Sequence, residues 1–314
     1  MTKLAENAPR RRRRLSMHQK QNLTGWAFLL PAALLIVIMS FYPMFRALLI
    51  SFMRGKPTAL KYSDPLIRNY QFMLKDTVLK QALVNTFTYL IIQVPIMLLL
   101  ALIFASLLNN KDLKFKGLFR TCIFLPCATG LVAYSMIFRT LFTYDGMVNA
   151  LLLKMGVIKE AINWLNNPTT AKAVIIIGLL WRWTGYNMVF YLSAMQSIDY
   201  SIYEASRIDG ASSFQQLTRI TVPLLRPIIL VTAIMSTNLV TAIMSTNGTL
   251  QLFDESVNLT RGGPGNATIT LSHYIYNTMF LMNPNFGYAA AMSFVILVLV
   301  AVLAAIQMKV GDKR

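Results

Sequence analysis

The residues able to do chemistry are few, and their spacing argues against catalysis. Cys122, Cys127, His18 and His273 are the only thiols and imidazoles. They are too scattered for a disulfide framework or a zinc site, which needs four ligands at workable spacing. The two cysteines are expected to be buried packing groups. No stretch reads G-x-x-x-x-G-K-[ST], so the chain is not expected to hydrolyse ATP unaided. Gly262, Gly263 and Gly265 follow no apolar strand and carry no lysine, which makes them a loop. Nucleophile elbows, HExxH and paired acid/base groups are also missing, so no catalytic residue, metal or cofactor is expected.

The charges that remain lie inside long apolar runs: Arg46, Arg139 and Arg182, with Arg226 near an end. Arg46 and Arg139 are close enough to run ends to snorkel towards water. Arg182 is deeper, in the stretch from Trp181 to Asn187, and is either a structural guanidinium bonded to carbonyls or a ligand contact. A proton-driven carrier would be expected to place Asp or Glu at mid-depth in these runs, and they hold none.

Those runs define the elements. Of 314 residues 55% are hydrophobic and 13% charged, with mean hydropathy +0.52, a balance that excludes disorder and points to lipid as the solvent for much of the chain. Crossing hydrocarbon takes about 20 apolar residues. Six runs qualify, approximately Leu23 to Phe52, Gln81 to Leu108, Leu118 to Phe142, Ala171 to Met195, Val222 to Leu252 and Gly287 to Gln307. The fold class expected is all-α, an integral membrane bundle of six helices spanning 23–314 behind a basic tail of residues 1–22. Pro31, Pro43, Pro95, Pro126 and Pro227 predict kinks in these helices, not breaks.

The net charge of +18 invites a nucleic-acid partner, but the basic residues cluster at the N-terminus and in short loops, a distribution that sets membrane orientation instead. No nucleic acid is expected. With the N-terminus inside, the cytoplasmic segments carry 16 Lys and Arg: seven before the first run, four at Lys111, Lys114, Lys116 and Arg120, two in the loop after Met195, and three in the tail. The outer segments carry ten, counting Lys172. Both termini are therefore expected in the cytoplasm. Arg10 to Arg14 resemble the start of a secretory signal, but the apolar run after them is too long and lacks a cleavage signature, so it is read as an uncleaved anchor. Met147, Val148, Leu151, Leu152, Met155 and Ile158 predict an amphipathic helix at the outer interface, with Trp164 after it.

Between the fourth and fifth runs, at about 196–221, lies the most informative loop. Ser201 with Glu204 forms a capping box that starts a short helix, and Gly210 supplies a left-handed residue to end it. Ser212 with Gln215, or Ser213 with Gln216, caps a second helix running to about Ile220 ahead of Pro223. Ile202, Tyr203, Ala205 and Ile208 are expected to be partly exposed, which makes this corner a docking site.

Glu204-Ala205-Ser206, three residues, Gly210, nine residues, then Ile220 and Pro223 resemble the EAA loop of bacterial ABC importer permeases. Ser206 stands for the usual third Ala and Val222 for a Leu. Gly25 to Pro31, Asn85-Thr86, Pro223 to Pro227 and Leu259 to Pro264 extend the resemblance to the carbohydrate-uptake branch, the maltose and glycerol-phosphate type; Arg261 stands where that branch usually has Gly. The resemblance implies the type I permease fold in a bacterial inner membrane. It also implies a heterodimer with a second permease, two cytoplasmic ATPase subunits, an extracytoplasmic sugar-binding protein and surrounding membrane lipid. Glu204, Ala205, Ser206, Gly210, Ile220 and Pro223 would couple the ATPases to the sugar path; the alternative is a self-powered carrier or channel. For the path, aromatic stacking and amide hydrogen bonds point to Tyr134, Trp181, Trp183, Tyr186 and Asn187.

One feature strains this pattern. Leu230 to Asn238 reads LVTAIMSTN and Leu239 to Asn247 repeats it without change. Nine residues add ~13.5 Å of helix and about 2.5 turns, which turns everything beyond them onto the opposite face. One copy is read as a recent duplication, an engineered insertion or a sequence error. Deleting residues 239–247 should leave sugar uptake in whole cells at least as fast as before; slower uptake after deletion would show that the repeat is needed.

Overall fold

A computed structural model of the chain describes residues 17–110, 113–196, 198–225, 252–281 and 284–311. The described elements are almost all helical. The first span is α1 (Met17–Ile36), a π-helical turn (Val37–Phe41) and α2 (Tyr42–Ser51), continuous from Thr24 to Ser51. Pro31 sits inside it without a break, and the π turn falls just before Pro43, where the ring removes a donor from the ladder. None of its most apolar stretch is covered by the rest of the chain, and Trp26 and Phe28 are largely exposed. A helix apolar all round and unburied suits hydrocarbon, not water.

A short hairpin, β1 (Met53–Arg54) with β2 (Lys61–Tyr62), and α3 (Arg68–Lys75) lead to α4 (Thr77–Asn109). Pro95 lies within α4, which continues through it. The fourth span is α8 (Pro168–Met195), and α12 (Phe286–Gly311) covers the sixth predicted run. Among the described residues three helices are long and apolar enough to cross a membrane, or four counting one bent pair. The fifth predicted run, and the nine-residue repeat with it, fall mostly outside the described residues.

The third run departs from expectation. It forms α5 (Lys116–Ala128) and α6 (Leu131–Leu141), which meet at 100°. The break is at Thr129 and Gly130, both extended, and the proline-bearing last turn of α5 is closed by Thr129, whose N–H and hydroxyl donate to the Pro126 carbonyl at 3.2 and 2.6 Å. Those two bonds satisfy a carbonyl that would otherwise be stranded in an apolar setting. The outer amphipathic helix is shorter than the sequence suggests, α7 (Met147–Lys154), and it exposes Met147, Leu151 and Leu153. Buried Asn149 ties it down: its amide donates to the Tyr144 and Ile162 carbonyls, and its oxygen accepts from the Ile162 N–H and the Trp164 indole.

α8 lies along both α4 and α5, and α12 lies along α2. Three apolar clusters follow this packing. One sits around Leu79, Leu271 and Met292, where α4 begins; another lies around Tyr89, Tyr134, Phe138 and Leu179; the last is around Ala105, Met188 and Leu192, where α4 and α8 end. Polar groups lock the end where α4 begins. Asn85 donates to the Asn266 and Ile269 carbonyls, and the Thr86 hydroxyl accepts from Leu271 N–H, which binds α4 to the 259–271 loop. In that loop Arg261, standing where the resembling family usually has Gly, takes the left-handed conformation at φ 55°, followed by Gly262 at φ 76°. Ser256 reaches the Thr268 carbonyl and His273 Nδ1, closing the turn.

Asp76 caps α4, accepting from Val78 and Leu79 N–H, and its other oxygen accepts from Tyr274 of α11 (Leu271–Tyr276) and from Tyr288, both at 2.6 Å. Burial alone would push this carboxyl up; the two phenols and two backbone N–H groups outweigh it and hold it below the usual carboxylate range. A lowered folded value contributes stability above the unfolded value of about 3.9, lost as pH falls through the folded one. Asp76→Asn should therefore lower the thermal midpoint of the purified protein at neutral pH, and the gap between variant and parent should close as pH drops below about 4.

Candidate functional site

The loop after α8 folds into α9 (Tyr200–Ile208) and α10 (Ser213–Gln216), with a π turn (Leu217–Thr221) carrying the second helix on through Leu225. The start of α9 is not where the capping-box pattern puts it. Asp199, not Ser201, is the cap, accepting from Ser201 N–H at 3.0 Å. An aspartate one position outside the first helical residue reaches that donor directly, so the Ser201–Glu204 box never forms. The Ser201 backbone and hydroxyl donors hold the Asp199 carboxyl below the usual range, so it stays ionised at the helix start.

The rest of the corner follows the sequence closely. Gly210 is left-handed at φ 78°, and Ala211 N–H returns to the Ser206 carbonyl while Gly210 N–H bonds the Arg207 carbonyl. Ser212 and Gln215 form the reciprocal capping box. Glu204 and Ala205 are exposed, Ile220 is half-buried and Pro223 exposed. Ser206 is buried: its hydroxyl donates to the Tyr203 carbonyl and accepts from Gln216 Nε2, each at 2.9 Å. Tyr203 is buried as well, contrary to the exposed place expected for it, because its hydroxyl pairs with Thr221 Oγ1 at 3.1 Å. Tyr203 and Ser206, three apart, thus form the inner face of α9 and fasten it to the following helix.

That leaves an outer face. Ile208 is 87% and Phe214 73% exposed, with Ile202 beside them. Phe214 was not singled out by the sequence reading; its position as the second residue of a capped helix, where the Ser212–Gln215 box fixes which side faces inward, is the signal that points to it.

The second candidate region surrounds Arg182 in the middle of α8. Tyr134 is fully buried and stacks on the half-exposed Trp181 with centroids 6.0 Å apart. Trp183 meets Tyr186 edge-on at 5.9 Å. The Arg182 guanidinium joins the two groups, 5.4 Å from the Tyr134 ring centre and 5.3 Å from that of Trp183. Asn187 stands apart: its amide donates to the Trp183 carbonyl and lies 3.5 Å from Met97 Sδ, a contact between α8 and α4.

Arg182 is buried, and among the described residues its Nε and Nη1 have no hydrogen-bond partner. Among the described residues the hydroxyls of Tyr89, Tyr134 and Ser135, the indole N–H of Trp183 and both oxygens of fully buried Glu255 also have no hydrogen-bond partner. Arg182 is an electrostatic partner of Glu255. A buried polar group left unpaired costs about 1 to 3 kcal/mol, so this concentration marks a place built to meet other polar groups. Glu255, at the edge of the undescribed stretch, was not anticipated; an acid just past an apolar run was its only trace in the sequence.

With this geometry in view, residues 97–313 match the family described as binding-protein-dependent transport system inner membrane component. The chain is 48% identical over 303 residues to the lactose transport system permease protein LacF of Rhizobium radiobacter, covering 96% of this chain and 98% of that one. Two solved structures share the fold. A bacterial ABC transporter for import of the acidic polysaccharide alginate matches with TM-score 0.77 and 21% identity over 94% of this chain and 96% of that chain. The bacterial alginate ABC transporter in complex with alginate pentasaccharide-bound periplasmic protein matches with TM-score 0.75 and 20% identity over the same shares.

The inner staple of α9 yields a test. Ser206→Ala and Gln216→Ala should each destabilise the corner by about 1 kcal/mol, and the double variant should cost less than their sum, because they share one bond. Amide hydrogen exchange of residues 200–216 in the purified protein measures it; additive losses would mean that the two side chains act separately.

Proposed function

We propose a mechanism from one premise: the chain belongs to the family of binding-protein-dependent transport system inner membrane components. It is a permease subunit of an ABC importer for carbohydrate, a bacterial membrane protein. In our reading it pairs with a second, similar permease, is driven by two cytoplasmic ATPase subunits and receives sugar from an extracytoplasmic binding protein. Both termini and the 196–221 loop face the cytoplasm, in keeping with the basic N-terminal tail.

The observation that carries the mechanism is the corner at Gly210: a rigid, internally bonded pair of helices whose outer face is apolar. Exposed Ala205, Ile208 and Phe214, with Ile202 at the side, fit a hydrophobic groove on an ATPase, and exposed Glu204 can pair with a basic residue there. α8 ends at Met195 and α9 begins at Tyr200. Movement of the peg is therefore passed within a few residues to the span that carries Arg182. ATP-driven approach of the two ATPases would shift both permeases' pegs together and switch the path between outward and inward openings. Ile220 and Pro223 keep the return helix aligned with the peg.

The path we assign is lined by Tyr134, Trp181, Trp183 and Tyr186, with Asn187 at its packed margin and with Arg182 and Glu255 added from the geometry. Aromatic faces take the apolar faces of a sugar ring, and groups that donate or accept meet its hydroxyls. A self-powered carrier has no comparable support: the spans 24–51, 77–109 and 168–195 contain no Asp or Glu to carry a proton.

Gly210→Val forces a β-branched residue into the left-handed region, at a cost of roughly 1 to 2 kcal/mol. In the assembled importer it should abolish uptake and the stimulation of ATPase by loaded binding protein, whereas Gly210→Asn, which tolerates this conformation, should retain part of both. A cysteine at Ala205 should crosslink to the ATPase subunit. Full transport by Gly210→Val, or labelling of that cysteine only from the outside of intact cells, would overturn the mechanism.

A further inference from the structure

The inner ends of α4, α5 and α8 and the start of α9 enclose a partly open recess of about 270 Å³. Its polar lining is Asn109, Lys116, Arg120, Gln196, Tyr200 and Tyr203, over a buried apolar floor of Leu108 and Met195. Lys116 and Arg120 are four apart on α5 and so share one face. Among the described residues neither makes an ion pair or hydrogen bond, and none of the described lining residues is acidic. Asp199 and Glu204 flank the α9 lining in sequence; neither is a lining residue, and the Asp199 carboxylate is on the Ser201 N–H. α5 also starts without a capping side chain or an acidic residue in its first turn, so the positive end of its dipole borders the recess.

Two cations with no partner among the described residues, beside an uncapped helix start and in a cavity several times the ~30 Å³ share of a water molecule, favour an anion with several acceptor oxygens. Depth narrows the source. Three membrane-embedded helices end at the recess, which puts it at the boundary between hydrocarbon and cytoplasm, where lipid phosphates lie. The tyrosines suit the same boundary. We propose that this recess binds a phosphoryl group at the cytoplasmic membrane surface, the headgroup phosphate of an anionic phospholipid, and that the bound lipid braces α9 against the ends of α5 and α8. The inference rests on the cytoplasmic placement of this loop proposed above. Because Tyr200 and Tyr203 belong both to the recess and to the coupling helix, occupancy bears directly on how firmly the peg is held.

The test uses the complete importer, delipidated and reconstituted in phosphatidylcholine nanodiscs with or without phosphatidylglycerol. Native mass spectrometry should find phosphatidylglycerol retained by the parent, with roughly 30-fold weaker retention in the double variant Lys116→Ala/Arg120→Ala, at about 1 kcal/mol for each lost cation. The charge-keeping pair Lys116→Arg/Arg120→Lys should retain it, as should Lys114→Ala outside the recess. Sugar-stimulated ATPase should rise with phosphatidylglycerol in the parent and not in the alanine pair. In a separate arm, inorganic phosphate is titrated against thermal stability in phosphatidylcholine alone. A phosphate-dependent shift in the parent that is lost in the alanine pair, without lipid retention, would keep the phosphoryl site but overturn the lipid as its source. Equal lipid retention by parent and alanine pair, with no phosphate shift, would overturn the site altogether. Lipid retention is read without transport, so its failure leaves the permease mechanism standing, and failure of the ATPase crosslink leaves this site testable.

Discussion

The close backbone approach of α8 to its neighbours is the constraint on which the rest of the molecule depends. A Cβ on Gly185 would run into the Ile123 carbonyl oxygen and the Phe124 Cα, and one on Gly178 would lie 2.7 Å from the Tyr134 hydroxyl. In lipid, burial of apolar surface does not by itself drive helices together; small residues that allow backbones to meet do. Gly185 therefore sets α5 against α8, and Gly178 leaves room for Tyr134 on the other side of the bend. The 100° corner between α5 and α6 is held because α8 touches both arms. Any movement handed to α8 is shared with the aromatic cluster around Arg182, since the two are in contact by backbone and ring.

The two ends of this frame are fixed by polar networks of different kinds. At the end where α4 begins, Asp76, Asn85 and Ser256 join α4, α11, α12 and the 259–271 loop through charged, amide and hydroxyl groups. At the end that carries α9, the fastening is smaller and neutral: Ser206 to Gln216, and Tyr203 to Thr221. Charge-assisted bonds are about twice as strong as neutral ones. The first end is thus the more firmly tied, and the α9 end, where force is received in the proposed mechanism, is stiff within the peg but less anchored to the bundle. A lever needs that difference: a rigid arm, with most of its give at the driven end.

Much of this was legible in the residues because it depends on local rules. The Gly210 turn, the Ser212–Gln215 box and the length of the spans follow from capping chemistry and hydrophobic run length, which need only neighbours in sequence. The α9 start was misread because two local rules competed, and Asp199 lay one position better for the first free N–H than Ser201. The break at Thr129 and Gly130 was hidden because Pro126 usually kinks a lipid-embedded helix without ending it; the outcome turned on Thr129 supplying two donors to one carbonyl. Ser206 looked like a mild replacement for alanine, since its partner Gln216 lies ten residues away across a turn. Glu255 and Arg182 were separated by more than seventy residues, and nothing in either segment named the other.

That last pair bears on how the proposed path works. Burial without hydrogen bonds is costly for a guanidinium, and for a carboxyl group as it is for the hydroxyls beside them. Mutual attraction and the rings of Tyr134 and Trp183 offset part of that cost, and the remainder disfavours the enclosed arrangement described here. Water can relieve it when the path opens. A sugar can relieve it without opening, because vicinal hydroxyls accept from Arg182 and donate to Glu255 at the same time, while the ring faces the aromatic groups. In such a site closure is easiest when cargo is present, and the empty transporter is held back from closing. A path of apolar residues alone would shut as readily empty as full, and ATP would then be spent with nothing carried.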